Sequence, residues 1–366
     1  MHDVLIIGGG VIGLSIAYEA AGRGQSVVLL EQQQLGQEAS WAGAGIVPPG
    51  GDARTGTAVH RLQSGANRLW PLLSEELRER TGIDNGYFRC GGLNVADGER
   101  CAELQAQIEE WRRCGVEHEL LDAAALRRVE PQIAPGTDSL VCRVPGVAQI
   151  RNPRHLKALI SGCVQRGVEL RTGEPVRRIH RRDGTVEGVS TTSGRLSAGQ
   201  YVVAGGAWSG ELLSQCGFDA GIVPVRGQIV LLATGSSPFR HIVECGPRYL
   251  VPRPDGRVLI GSTEEWVGYN KGTTSAGVQG LLQFAMGLAP SLAEARFEQS
   301  WSGLRPHAGR GTPFVGRLPE CDNLLVATGH FRGGLSLSPI TARLIGQLLT
   351  GEPTDFSLDE LGLSPG

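Results

Sequence analysis

The chain has 366 residues, 40% of them hydrophobic and 20% charged, which is the balance of a globular protein and too long for one ordinary core, so about two domains are expected. A formal net charge of -2 leaves no basic field for nucleic acid or an anionic membrane. Eight cysteines without a C-x-x-C pair exclude the common zinc and redox motifs, so no metal is expected, and they point to an intracellular, reducing, cytoplasmic setting.

Val4 to Ile7 is a short apolar run of the kind buried on both faces of a parallel sheet, and Gly8-x-Gly10-x-x-Gly13 follows at once. The next segment, to about Arg23, spaces Ile12, Ile16 and Ala20 on one helical face, and "SVVLLE" supplies a second buried strand. In this context the first glycine makes the turn, the second lets a pyrophosphate approach bare backbone, and the third lets helix meet strand. Glu31 lies 18 residues beyond Gly13, where a carboxylate can accept hydrogen bonds from ribose hydroxyls. A dinucleotide site is expected, with flavin and nicotinamide both open at this point. The uncharged run from Val4 to Tyr18 lacks a preceding Lys or Arg and is too short for a membrane span.

"GQEASWAGAGIVPPG" follows, in which Ala39, Ser40, Ala42, Gly43, Ala44 and Gly45 are all small. Small side chains let peptide amides reach a flat ligand, a use that a nicotinamide domain does not have. Asn152 and Pro153 are expected to open a helix as N-cap and first helical residue, ending near Gly167. "VELRTGEPVRRIHRRDGTVEGVSTTSG" alternates like hairpin strands with a turn at Asp183-Gly184, and Tyr201 to Ala204 forms a further strand running into Gly205-Gly206.

Near the end, Leu324 to Ala327 reads as a strand, "GHFRGGLSLSP" as a loop that launches a last helix at Ser338 and Pro339, and Gly351 as its stop. A helix amino end here would place positive potential beside the pyrimidine edge of a flavin, where the reduced ring stores its charge. Two glycine loops so far apart in sequence then serve the two ends of one long cofactor, and FAD is long enough to need both.

These segments resemble the D-amino acid oxidase superfamily of FAD-dependent amine oxidoreductases, and within it the glycine oxidases linked to thiazole biosynthesis. The likeness spans essentially the whole chain, with "LIIGGGVIGLSIAYEAA", "EASWAGAGIVPP", "VVAGGAWS", "PVRGQIVLL", "YLVPRPDGRVLIGST", "WSGLRPHAGRGTPFVG" and "ATGHFRGGLSLSP" in the family's order. It implies FAD contacts from Gly8, Gly10, Val11, Ile12, Gly13, Glu31, Gln32, Ala39, Ser40, Ala44, Gly45, Ile46, Val176, His330, Phe331, Arg332, Gly333, Gly334, Leu335 and Ser336. It also implies that Arg305 clamps the substrate carboxylate, with Tyr249 donating a further hydrogen bond and Arg332 close to flavin and substrate. A guanidinium fork suits that task because it meets a carboxylate with two parallel hydrogen bonds.

The resemblance implies oxidative deamination of glycine or a small relative such as sarcosine or D-alanine, with dioxygen as electron acceptor and ammonia and hydrogen peroxide as products. Close alternatives are a sarcosine oxidase-like enzyme and a quinone- or dye-linked D-amino acid dehydrogenase; a flavin-binding module without turnover is the third. Sarcosine oxidases attach flavin to a cysteine in the region matching "GLRPHAG", and no cysteine occurs between Cys245 and Cys321, so noncovalent FAD is expected. Where glycine oxidases often carry methionine on the substrate wall, this chain has Ile46 and Glu264. A carboxylate there is costly unless paired, so Glu264 either turns outward or takes an amino group. His307 and His330 receive no catalytic role, because hydride transfer from a neutral amine needs no side-chain base.

The expected fold class is α/β, a Rossmann-type FAD-binding domain interleaved with a smaller α+β substrate domain on an antiparallel sheet. The FAD-binding domain takes residues 1–80, 144–215 and 305–366, and the substrate domain 81–143 and 216–304, including a helix from Ala102 to Cys114. Self-association is common in the family, and membrane attachment is not expected, since the tail "DFSLDELGLSPG" is acidic.

Overall fold

The computed structural model describes residues 1–362; the last four residues of the segment expected at 305–366 lie outside them. Val4 to Ile7 and Val27 to Leu30 carry apolar side chains on both faces, and both runs are buried throughout. They form the middle of a six-stranded sheet in the order Phe314–Arg317, Leu324–Thr328, Ala198–Val203, His2–Ile7, Val27–Glu31, Glu169–Thr172. All neighbours are parallel except Phe314–Arg317, which turns back antiparallel on Leu324–Thr328. One face is covered by helices Val11–Gly22, Asn152–Gln165, Gly334–Thr350 and Ala58–Thr81. The other face packs on the hairpin strands Arg178–Arg182 and Thr185–Thr191 through Ile179, Val186 and Val189.

A second, eight-stranded sheet runs Arg296–Ala308, Ile222–Ala233, Arg257–Gly261, Arg248–Pro252, Ile242–Cys245, Gly92–Ala96, Leu140–Val144, Glu119–Leu121. It is antiparallel apart from the pair Ile242–Cys245 and Gly92–Ala96. Helix Ser275–Leu288 covers one face with Leu281, Ala285 and Leu288, while Leu104, Ile108 and Trp111 of helix Arg100–Arg113 pack on the other. The latter matches the helix expected from Ala102 to Cys114. Both expected sheet types are therefore present, in an α/β fold interleaved along the chain.

Two expected helix starts need correction. Helix Asn152–Gln165 is preceded by Arg151 as N-cap, so Asn152 and Pro153 are its first two residues. The Asn152 side chain is engaged elsewhere: its Nδ2 donates to the Ser40 carbonyl at 2.7 Å. The last helix begins at Gly334 rather than at Ser338-Pro339, straight after a 3-10 turn over Phe331–Gly333, and Pro339 lies inside it. A proline there removes one bond, to the Leu335 carbonyl, but its fixed φ still suits a helix, and burial of Leu337, Ile340, Leu344 and Ile345 holds the turn. Gly351 ends the helix with φ +71, as expected.

Candidate active site

The carboxyl ends of the parallel strands open into one continuous cavity of about 560 Å³, bounded on its far side by the eight-stranded sheet. Gly8, Gly10, Val11 and Ile12 line its floor, Glu31 and Gln32 one end, and Ala39, Ser40, Ala44, Gly45 and Ile46 a side. Val176 closes the Glu31 end, and His330 to Ser336 form the wall opposite the first loop. Tyr249, Arg305 and Arg332 lie at the other end of the same cavity. Gly13 is not among the lining residues and does what the third glycine of the motif is expected to do, letting the helix pack closely. A Cβ there would overlap the Gly8 carbonyl, so its bare backbone serves the packing of helix on loop.

Close backbone approaches explain why the wall needs small residues. Gly45 holds φ +73, and a Cβ on it would run into the Ile150 carbonyl. A Cβ on Gly303 would lie 2.7 Å from Ala42 Cβ and 3.2 Å from Ala39 Cα. The short helix Ala39–Ala42 and the turn after it are held by side-chain donors that come from far along the chain: Asn152 to the Ser40 carbonyl, Trp301 Nε1 to the Ala42 carbonyl at 3.0 Å, and Arg253 Nη2 to the Ala44 carbonyl at 2.8 Å. Arg253 is only 4% exposed and also donates to Gln149 Oε1 at 2.7 Å and to the Ile150 carbonyl. Burial pushes its pKa down to about 10, which still leaves it charged at neutral pH. Sequence reasoning missed Arg253, because nothing local ties it to the loop.

At the first loop, Glu31 accepts from the Gly9 amide at 2.8 Å and the Gln33 amide at 2.9 Å, so its carboxylate is fixed at the mouth of the glycine turn. Ser40 Oγ accepts from the Val11 amide, the first of helix Val11–Gly22. On the opposite wall, Trp70 Nε1 donates to the Ser336 carbonyl at 2.9 Å, fixing the start of the last helix. Phe331 adopts a left-handed φ of +48, rare for a side chain of that size, and packs edge-on against His307 with centroids 4.9 Å apart. His330 is buried against Thr341, 3.0 Å from its Oγ1, and burial pushes its pKa down to about 3, so it is neutral at physiological pH.

The far end is built on the second sheet. Arg305 sits opposite Val225 in the ladder, and its guanidinium lies across the bare backbone of Gly227, where any Cβ would overlap it. Nη2 donates to Ser262 Oγ at 2.6 Å and Nη1 to the Thr263 carbonyl at 3.2 Å. Burial lowers the Arg305 pKa, and neighbouring Tyr249 and Glu264 act in the opposite sense. Tyr249 sits directly opposite Gly261, its ring filling the space a Cβ would take. Arg332 donates to Glu264 Oε2 at 3.2 Å and to the Pro247 carbonyl at 2.8 Å. Glu264 is exposed, off the cavity lining and paired with Arg332, so it takes the outward one of the two placements expected for it. Gly227 and Gly261 were not singled out in the sequence; the seats they make for Arg305 and Tyr249 show only across strands.

The donor set fits a long dinucleotide: a glycine turn and helix end, an acid at one extremity, and bare main chain along both walls. Asn152 Oδ1, on the wall and buried, accepts no hydrogen bond among the described residues. Residues 3–348 match the DAO family model, described as FAD dependent oxidoreductase. The chain belongs to this family of FAD-dependent oxidoreductases. FAD is accordingly the cofactor that the cavity accommodates.

Among its relatives, the glycine oxidase of Pseudomonas putida is 36% identical over 350 residues, covering 95% of this chain and 94% of that one. The bifunctional protein ThiO/ThiG of Trichormus variabilis is 33% identical over 360 residues, 97% of this chain and 53% of that one. The crystal structure of glycine oxidase from Geobacillus kaustophilus superposes with a TM-score of 0.94 at 32% identity, covering 100% of this chain and 99% of that one. The expected resemblance is borne out. No helix among the described residues is long and apolar enough to cross a membrane.

Proposed function

We propose that this flavoenzyme oxidatively deaminates glycine or a similarly small amino acid, with sarcosine and D-alanine as further substrates. The products are the 2-oxo acid, hydrogen peroxide and ammonia, or methylamine from sarcosine. The observation that carries the reading is the Arg305 guanidinium, braced by Ser262 and Thr263 over Gly227, with Tyr249 beside it at one end of the FAD cavity. Bound noncovalently, FAD would supply the hydride acceptor and the redox couple to dioxygen, and the residues lining the cavity would hold it.

The chain supplies placement. Arg305 takes the substrate carboxylate in two parallel hydrogen bonds, and the Tyr249 hydroxyl adds a third. Because Glu264 already neutralises Arg332, one net positive charge faces the carboxylate rather than two. His330 is neutral and carries no proton to the ring, and the amino end of helix Gly334–Thr350 turns positive potential toward the cavity. No side chain has to act as base if the amine is bound in its neutral form.

The reading includes a flavin-carrying part made of residues 1–80, 144–215 and 305–366 and a substrate part made of 81–143 and 216–304. The partition of strands between the two sheets supports it, with strand Arg296–Ala308 reaching across the last boundary. It also includes action in the cytoplasm and a contribution to thiazole formation for thiamine, which similarity to the ThiO/ThiG protein supports. The test is an air-equilibrated screen of glycine, sarcosine and D-alanine that follows peroxide. Dye reduction without peroxide would move the reading to a dehydrogenase, and no reduction of bound flavin by any amine would end it.

A further inference from the structure

Five carboxylates border the cavity, and four of them have partners: Glu31 accepts the Gly9 and Gln33 amides, Glu38 pairs with Lys271, Glu174 accepts from Thr191, and Glu211 from Tyr269. Glu244 has none among the described residues. It lies in strand Ile242–Cys245 directly opposite Tyr249, and Tyr249 in turn sits opposite Gly261, so the three occupy one row across the sheet. Cross-strand partners project from the same face, which puts the Glu244 carboxylate on the side of the Tyr249 ring and the cavity. Val243, its neighbour in the strand, points the other way into the core under helix Ser275–Leu288.

No cation among the described residues is committed to this carboxylate. Arg332 is held by Glu264 and the Pro247 carbonyl, Arg305 by Ser262 and Thr263, and the Arg248 guanidinium lies over the Phe284 ring. Burial raises the Glu244 pKa, the signature of an acid that lacks a counter-ion, with Arg332 as the one charge that lowers it. Glu244 is half-buried on the cavity wall, where an acid without a partner becomes costly once a ligand displaces the water beside it, and a cation brought by the ligand removes that cost. Two strand spacings, about 10 Å of backbone, separate Glu244 from Gly261 beside the Arg305 guanidinium, and the reach of both side chains shortens the gap between their charges.

We propose that Glu244 is a specificity-determining residue that takes a positively charged group several bonds beyond the substrate carboxylate, so that small amino acids bearing a second ammonium are a favoured substrate class. The inference rests on the reading above in one respect, that the carboxylate is anchored at Arg305. Glycine satisfies the clamp alone; a substrate with a second cation satisfies clamp and Glu244 together.

The test uses the FAD-loaded protein and two probes that it cannot oxidise at an α-amine, 4-aminobutanoate and pentanoate, which differ only in an ammonium replacing a methyl. Calorimetric titration of the wild type is expected to show 4-aminobutanoate bound about tenfold tighter or more, the effect of one charge-assisted contact. Glu244→Gln and Glu244→Leu, each confirmed to keep flavin absorbance, are expected to bring the two probes within about threefold or to reverse their order. In parallel, the ratio of kcat/KM for D-2,4-diaminobutyrate over D-alanine is expected to fall by a similar factor.

The proposal is overturned if the wild type prefers pentanoate, or if neither substitution moves the probe ratio. It is also overturned if the substitutions instead weaken glycine relative to acetate while leaving the 4-amino preference intact, which would place Glu244 at the reacting amine. Peroxide from glycine without the ammonium preference sinks this inference alone. The ammonium preference without oxidation of any amine sinks the proposed reaction alone.

Discussion

Replacing Gly227 by alanine tests the carboxylate clamp without touching a charged residue. The added Cβ would overlap the Arg305 guanidinium, so the planar group has to move by about an ångström or more to regain ordinary contact. It then loses the 2.6 Å bond to Ser262 Oγ and the 3.2 Å bond to the Thr263 carbonyl that aim it. A hydrogen bond to a charged group is worth about 1.5–3 kcal/mol, and misdirecting one of the two that Arg305 makes to a substrate carboxylate lowers kcat/KM by about 10- to 100-fold. Flavin absorbance of the purified variant reports FAD occupancy, and peroxide release against glycine concentration gives kcat/KM. FAD occupancy is expected to match wild type. A kcat/KM within about threefold of wild type, or loss of FAD in its place, would refute this placement of Gly227 and Arg305.

Arg253→Met leaves Gln149 Oε1 and the Ile150 and Ala44 carbonyls without their donor, at about 1–3 kcal/mol for each buried group. Differential scanning fluorimetry should show the melting temperature down by several degrees, with FAD bound more weakly. Gly10→Val crowds Ser40 Oγ, which a Cβ would meet at 3.1 Å, and fills the place of a phosphate, so the purified variant is expected to be colourless. Glu130 concerns pH: burial would raise its pKa, but bonds from the His241 ring and from the Arg240 and His241 amides outweigh that and lower it. An acid depressed in the folded state adds stability above its unfolded pKa of about 4.3, lost as pH falls through the folded value. The melting-temperature advantage of wild type over Glu130→Gln should therefore shrink as pH is lowered from 6 toward 3.5; a constant gap would contradict it.

The nucleotide end of the site was legible because its constraints are local. Gly8, Gly10 and Glu31 belong to one strand, turn, helix and strand within thirty residues, and the Glu31 carboxylate returns to the Gly9 amide inside that unit, although the backbone that crowds Gly8 comes from Ala204 on the neighbouring strand. Boundaries were less legible where a side chain found distant work. Asn152 looks like an N-cap, yet its amide reaches Ser40, 112 residues away. Pro339 looks like a start, yet burial of the flanking apolar residues carries the helix through it. The substrate end was the least legible. Arg305 stood out among so many arginines only by family resemblance, and Gly227 explains it only once strands Ile222–Ala233 and Arg296–Ala308 are paired. Arg253 meets Ala44 across 209 residues, and no local pattern in either segment announces that contact.

The most direct measurement is an anaerobic titration of the bound flavin with glycine, followed by the loss of its visible absorbance, in wild type and in Arg305→Ala. Wild type is expected to bleach, while Arg305→Ala arrives equally yellow but needs about 100-fold or more glycine for half the change, the loss of two charge-assisted hydrogen bonds. Bleaching of both proteins at the same glycine concentration, or a wild type that binds FAD yet is reduced by no small amino acid, would contradict the account.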